Sequence, residues 1–214
     1  MTGLPPIDAE ERQIGVGFGE EPINDQRWNV AIDNTVAVSE LPASLARKLR
    51  EGGQMQLRFV AAGEDGRTIR YVIDLPPSPT AIDATLTACG RPLVDPRDLE
   101  LEAVGDNGLP ADLEWLRRPR PSHPRPMRYT KGFAVVTCMA ERDGGLRDCI
   151  VETEHPRDAG YGEVTVRATR SARLTNTINP DAPIDPERIV FRANYFIAGY
   201  QPRAPRTGTR IPRP

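Results

Sequence analysis

Apolar and polar positions fall into short, distinct runs along the first half of the chain. Trp28, Val30 and Ile32 occupy alternate positions of 27–34, which predicts a strand. Leu41, Leu45 and Leu49 then recur at i, i+4 and i+8 with Ala46 beside them, which predicts a short amphipathic helix over about 41–51. Pro42 suits its first turn, and Gly52-Gly53 ends it. Residues 54–62 and 68–75 are rich in β-branched and aromatic side chains and predict two strands, with Asp65-Gly66 as the hairpin turn between them. A second helix opens with Ser78 as N-cap, Pro79 at its first position and Asp83 in its first turn, and Gly90 stops it. Ala81, Leu86 and Cys89 share its inner face, and 98–104 offers one further strand. Residues 27–108 therefore read as a small α+β domain of order β-α-β-β-α.

The flanking segments lack such patterns. Residues 1–26 read as a flexible arm. Its Gly15, Gly17 and Gly19 could cradle a phosphate only if a helix followed, and Glu20, Glu21 and Pro22 follow instead. Residues 109–131 contain "RRPRPSHPRP", a density of proline that favours an extended, stiff spacer. Residues 201–214, "QPRAPRTGTRIPRP", read as a disordered basic tail. Charge supports a division in two: residues 1–110 carry 10 basic and 18 acidic residues, and 111–214 carry 18 and 12, so −8 and +6 sum to the net −2. Only Lys48 and Lys131 are lysines. We read the arginine bias as codon usage of a GC-rich genome rather than as nucleic-acid recognition. No apolar run approaches the ~20 residues that span a bilayer. The start, MTGLPPIDAEERQ, shows no apolar core of a signal peptide.

The most informative stretch is "GFAVVTCMAERDGGLRDCIVETEHP", a strand, a turn around Asp143-Gly144-Gly145, and a strand. Cys138 and Cys149 are placed symmetrically about this turn. A symmetric loop of two or four residues sets them directly opposite, at a Cα separation that a disulfide can bridge. A Cys138–Cys149 bond is expected, and with it an oxidising compartment; the alternative is two reduced cysteines acting as small core hydrophobes. The segment 160–173 is ambiguous by period alone. Val164, Val166 and Ala168 alternate as on a strand, whereas Tyr161, Val164, Ala168 and Ala172 lie on one helix face. The run "RIVFRANYFIAGY" is strongly β-prone.

This order of strand, DG turn, strand, proline-containing loop and final β-prone strand is similar to the C-terminal domain of TonB. The residues that carry the likeness are Gly132, Val135, Asp143-Gly144, Leu146, Asp148, Ile150-Val151, Pro180 and Val190-x-Arg192. The resemblance implies a helix over about 160–173. It gives the fold class as α+β with two small domains, the second (132–200) being a β-β-α-β unit with an antiparallel sheet packed on one helix. It further implies a periplasmic or secreted interaction module whose last strand, at Ile189, Val190, Phe191, Arg192, Asn194, Tyr195 and Phe196, pairs with an extended peptide. The implied partner is a protein, an outer-membrane receptor or another envelope protein. A strand simply covered by the first domain is the competing reading, and a structural envelope protein that binds an anionic partner through its Arg/Pro tail is the competing function.

Catalytic chemistry finds little to use. His123 sits among prolines, and His155 lies near Glu152 and Glu154 without a second histidine at ligand spacing. There is no Gly-x-Ser-x-Gly elbow and no Cys-x-x-Cys pair. Asp95 and Asp98, in "DPRDLE", read as turn chemistry. We therefore expect no enzyme, and assign no catalytic, cofactor-binding or metal-binding residues. Cys89 is left without a partner, either buried and reduced or available to another molecule.

Overall fold

A computed structural model describes residues 1, 4, 6–60, 67–102, 104–105 and 107–196. The tail 201–214, residues 197–200 and the Asp65-Gly66 turn lie outside the described residues. The fold is α+β with antiparallel sheets and few helices.

The first half builds a five-stranded sheet from β1 (Glu11–Phe18), β2 (Asn24–Val30), β3 (Ala37–Ser39), β4 (Gly53–Phe59) and β5 (Ile69–Leu75), in the order β3-β2-β1-β4-β5. Residues 11–18, expected as part of a flexible arm, are instead its central strand, paired with β2 and β4. Ile14 and Val16 point into a core with Trp28, Met55, Leu57 and Phe59. The intervening glycines have a steric reason. Ile23 folds back across the strand, and a Cβ on Gly15 would stand 2.7 Å from its side chain and 2.9 Å from that of Arg58. The glycine run is therefore a strand with one face cleared for a neighbour, not a phosphate loop. Helix α1 (Pro42–Lys48) lays Leu45 against this core, with Leu49 just past its end. Helix α2 (Pro79–Ala88) follows β5 and buries Leu86.

Residues 98–104 do not form a strand. Asp95 accepts the backbone N–H of Arg97 at 3.1 Å, and this Asx turn opens the helix α3 (Arg97–Glu102). Leu101 of α3 packs with Val135 and Val190 of the second half.

The second half holds a three-stranded sheet of β7 (Lys131–Ala140), β8 (Leu146–His155) and β10 (Arg188–Phe196), in the order β10-β7-β8. Helix α4 (Tyr161–Thr169) covers one face of it and seals Ala134, Val136, Cys138, Ile189, Phe191, Ala193 and Tyr195. Glu154 accepts the N–H of Gly162 at 2.7 Å, a carboxylate on the positive end of this helix. The helix is shorter than the expected 160–173 because Arg173–Asn176 leaves it as β9. That strand pairs with β6 (Leu113–Arg117), inside the stretch expected to be a linker. Trp115 of β6 meets Phe191 edge-on at 5.6 Å, so β6 belongs to the core of the second half. The proline-rich stretch after β6 is also packed, with His123 edge-on to Tyr195 at 5.6 Å.

The opposite face of the β7-β8-β10 sheet meets the first half through a polar seam. Glu152 of β8, side chain 5% exposed, takes Arg97 at 2.8 Å and Thr137 of β7 at 2.6 Å. Arg91 caps the carbonyls of Val151 and Glu152 at 2.5 and 2.9 Å. Arg97 also pairs with Asp95 at 2.6 Å, and Arg47 of α1 reaches Asp98 at 2.6 Å. The Asp95 hydrogen bond, with help from Glu152, raises the Arg97 pKa further, while Arg97 holds the Asp95 carboxyl below its ordinary value.

Candidate functional site

Two features of the second half carry the sequence expectations: the β7-β8 hairpin and the edge of β10. In the hairpin, Cys138 and Cys149 are joined, with their Cα atoms 4.1 Å apart. The loop is not symmetric. Glu141 donates to the carbonyl of Gly145 at 2.9 Å, which closes a loop of odd length. The register then shifts between Thr137 and Met139, and Asp148 takes a left-handed φ of 49°. This bulge absorbs one residue and returns the strands to the register Thr137↔Ile150, which sets Cys138 beside Cys149. Cys138 is fully buried, and Cys149 lies 3.3 Å from the Thr169 hydroxyl of α4. Cys89 is reduced and exposed at the end of α2.

Strand β10 is the outer member of its sheet, hydrogen-bonded on one side to β7 over Arg188–Phe196. Its residues divide by face. Ile189, Phe191, Ala193 and Tyr195 are buried on the α4 side. Tyr195 packs against Tyr161 with the rings tilted by 35° and their centres 4.4 Å apart, it bonds the Thr165 hydroxyl at 2.6 Å, and burial pushes its phenol up to about 12. Val190, Arg192 and Asn194 face the first half. Arg192 donates to Glu40, and Asn194 to Glu11 at 3.2 Å. Burial raises the Glu40 pKa, and the Arg192 hydrogen bond opposes that rise. Phe196 is exposed.

The main chain divides by edge. Val190 donates its N–H to the carbonyl of Gly108 at 2.7 Å, on the side away from β7. By alternation, the main-chain groups of Arg192, Asn194 and Phe196 face the same way. Gly108 fits because it has no side chain: its φ is +83°, and a Cβ would collide with the Val190 carbonyl. The loop around Gly108 thus fills one position of the β10 edge.

Beyond it lies a hollow of about 250 Å³, bordered by Glu11 and Arg27 on one side and by Trp115 and Arg118 on the other. Arg118 lies over the ring of Phe191, 5.7 Å from its centre. A larger, more open cleft of about 1140 Å³ takes up at Phe196, between the proline-rich stretch and the start of α4. The edge of β10 therefore runs from one hollow to the other. The first half flanks this edge through Glu11, Arg27 and Glu40, a neighbourhood that the strand's own sequence does not announce. The acidic-basic contrast between the two halves was the available signal.

The chain is similar to the solution NMR structure of the Pseudomonas aeruginosa TonB C-terminal domain, at 19% identity and a TM-score of 0.37, covering 42% of this chain and 92% of that one. No family model and no curated protein matches the chain.

The residues considered for metal or acid–base chemistry serve separate contacts. Glu152 is in the seam, Glu154 is at the N-terminus of α4, and His155 accepts the N–H of Ile32 at 3.4 Å while stacking on Phe133 at 5.7 Å. Among the described residues, no three His, Cys, Asp or Glu side chains converge as ligands, and no helix is long and apolar enough to cross a membrane.

Proposed function

We propose that this chain is a protein-interaction module of the cell envelope, without enzymatic activity, that binds an extended peptide as an added strand along β10. The edge from Asn194 to Phe196 would supply the main-chain bonds. The hollows at the two ends of this edge would receive side chains of the ligand. The observation that carries this reading is the Val190–Gly108 hydrogen bond, because the protein's own loop already uses the edge in this way and the strand continues from there beside a groove. Arg27 is paired with Glu11 and Arg192 with Glu40, so it is Arg118, over the Phe191 ring, that favours a ligand with an acidic side chain in that groove. The Cys138–Cys149 bond fits a periplasmic or secreted location, and the partner class is an outer-membrane receptor or another envelope protein.

The test is selection from a displayed library of random peptides, followed by amide NMR of the full chain with the selected sequences. Bound peptides should shift the amides of Arg192, Asn194 and Phe196. Asn194→Pro removes one outward N–H, spares the β7 ladder, and should weaken binding by more than about tenfold. Selected peptides that bind the Asn194→Pro protein unchanged would refute the proposal.

A further inference from the structure

Strand β5 is the outer member of the five-stranded sheet at one end, and its edge is unusually apolar for an exposed strand. Tyr71, Val72 and Ile73 are 50%, 53% and 38% exposed. Gly19 donates to the Gln54 carbonyl at 2.8 Å on the β1 side of β4, so even-numbered groups of β4 face β1 and odd-numbered ones face β5. With the register Met55↔Ile73 and Leu57↔Tyr71, the main-chain groups of Arg70, Val72 and Asp74 point outward. Among the described residues they have no main-chain partner. Tyr71 and Ile73 share the core face of the sheet, where Tyr71 meets Phe59 edge-on at 5.8 Å, and the cover over that face runs out at β5.

We propose that β5 is a homodimerisation edge, pairing antiparallel with β5 of a second copy about a two-fold axis at Val72. The sequence Ile69-Arg70-Tyr71-Val72-Ile73-Asp74-Leu75 is complementary to its own reverse. In that register Arg70 faces Asp74 of the second copy twice, Tyr71 faces Ile73, Ile69 faces Leu75, and Val72 faces itself. A two-fold interface demands this self-complementarity, and opposed charges are the favourable cross-strand pair on the polar face. Arg70 now donates to Gln56, and Asp74 accepts from Gln54 at 3.3 Å, so both side chains already lie along the sheet surface beside the edge. Pairing would join two five-stranded sheets, and each copy's Tyr71 and Ile73 would cover the other's. The edge lies in the first half, away from β10, and the inference does not rest on peptide binding there.

The test is sedimentation equilibrium of the full chain carrying Cys89→Ser, so that position 89 cannot link two copies and Cys138–Cys149 stays intact, from about 5 to about 500 μM. The expected mass rises with concentration from 23.6 kDa towards twice that value. Arg70→Asp places two carboxylates opposite each other and should hold the protein at the monomer mass. The double exchange Arg70→Asp with Asp74→Arg restores complementarity and should restore the dimer. Asn194→Pro on β10 should leave the dimer unchanged, which separates this edge from the peptide site. A monomer at every concentration would overturn the proposal. So would a dimer that survives Arg70→Asp, or one that the double exchange fails to restore.

Discussion

Replacing Arg97 by methionine removes the cation at the centre of the seam between the two halves. Arg97 holds Asp95 at 2.6 Å and Glu152 at 2.8 Å, and both carboxylates have side chains no more than 5% exposed. Methionine keeps much of the packing and none of the charge. Glu152 would then retain Thr137 at 2.6 Å and a long contact to Arg91 at 3.4 Å, and Asp95 would retain Arg47 at 3.5 Å. Breaking a buried pair from one side costs about 3–5 kcal/mol, because the remaining charge stays desolvated. The residual partners place this case at the low end, about 3 kcal/mol. With a urea dependence of about 3 kcal/mol per M for a chain of this size, the midpoint should fall by about 1 M.

Two tryptophans allow the consequence to be read in each half. Trp28 is buried in the first sheet and Trp115 lies on β6 of the second. With one removed at a time, the other reports its own side by fluorescence, and Arg97→Met should lower both midpoints together. Adding Glu152→Met removes the stranded carboxylate, so the double variant should be more stable than the sum of the single losses by at least about 1 kcal/mol. An Arg97→Met loss below about 1 kcal/mol, or losses additive within about 0.5 kcal/mol, would refute the seam as a cooperative unit. Movement at only one tryptophan would refute the idea that it couples the halves.

Other perturbations have equally definite outcomes. Reduction of Cys138–Cys149, which spans a sequence separation of 11, should cost about 3 kcal/mol by the chain-entropy argument, measured as a urea midpoint shift with and without reductant. Gly108→Ala forces a side chain into a left-handed backbone and against the Val190 carbonyl. It should cost about 1–3 kcal/mol, seen calorimetrically as a Tm lowered by several degrees. Burial lowers the His155 pKa below 6.5, so the unfolded chain binds a proton before the folded one does. Stability should therefore be full above pH 6.5, fall as pH drops through the lowered folded value, and level off below it. His155→Phe should flatten that limb in urea titrations repeated across the range, and an unchanged limb would show that another group causes it.

What the sequence reveals divides along physical lines. The β7-β8 hairpin is legible because its pairing is local: two strands, a glycine turn and two cysteines lie within one short stretch, and even a bulge at Asp148 leaves their symmetry intact. Helix α2 is legible for the same reason, through Pro79 and Gly90. Strand β1 is not, because what its glycines avoid is Ile23 and Arg58, and the second comes from a strand far along the chain. Strands β6 and β9 are short and set among prolines and a helix end, and each is stabilised by the other, which lies 56 to 63 residues away in the register Leu113↔Asn176 to Arg117↔Arg173. The seam is hidden by a more general habit. Periodicity arguments discard charged residues as solvated, yet Glu152 lies within a strand between Val151 and Thr153, and Arg91 and Arg97 bracket a turn that reads as surface. An acid in mid-strand of an otherwise β-branched run is costly unless a cation reaches it. That was the one local sign of the seam, and it required asking which distant arginine answers Glu152.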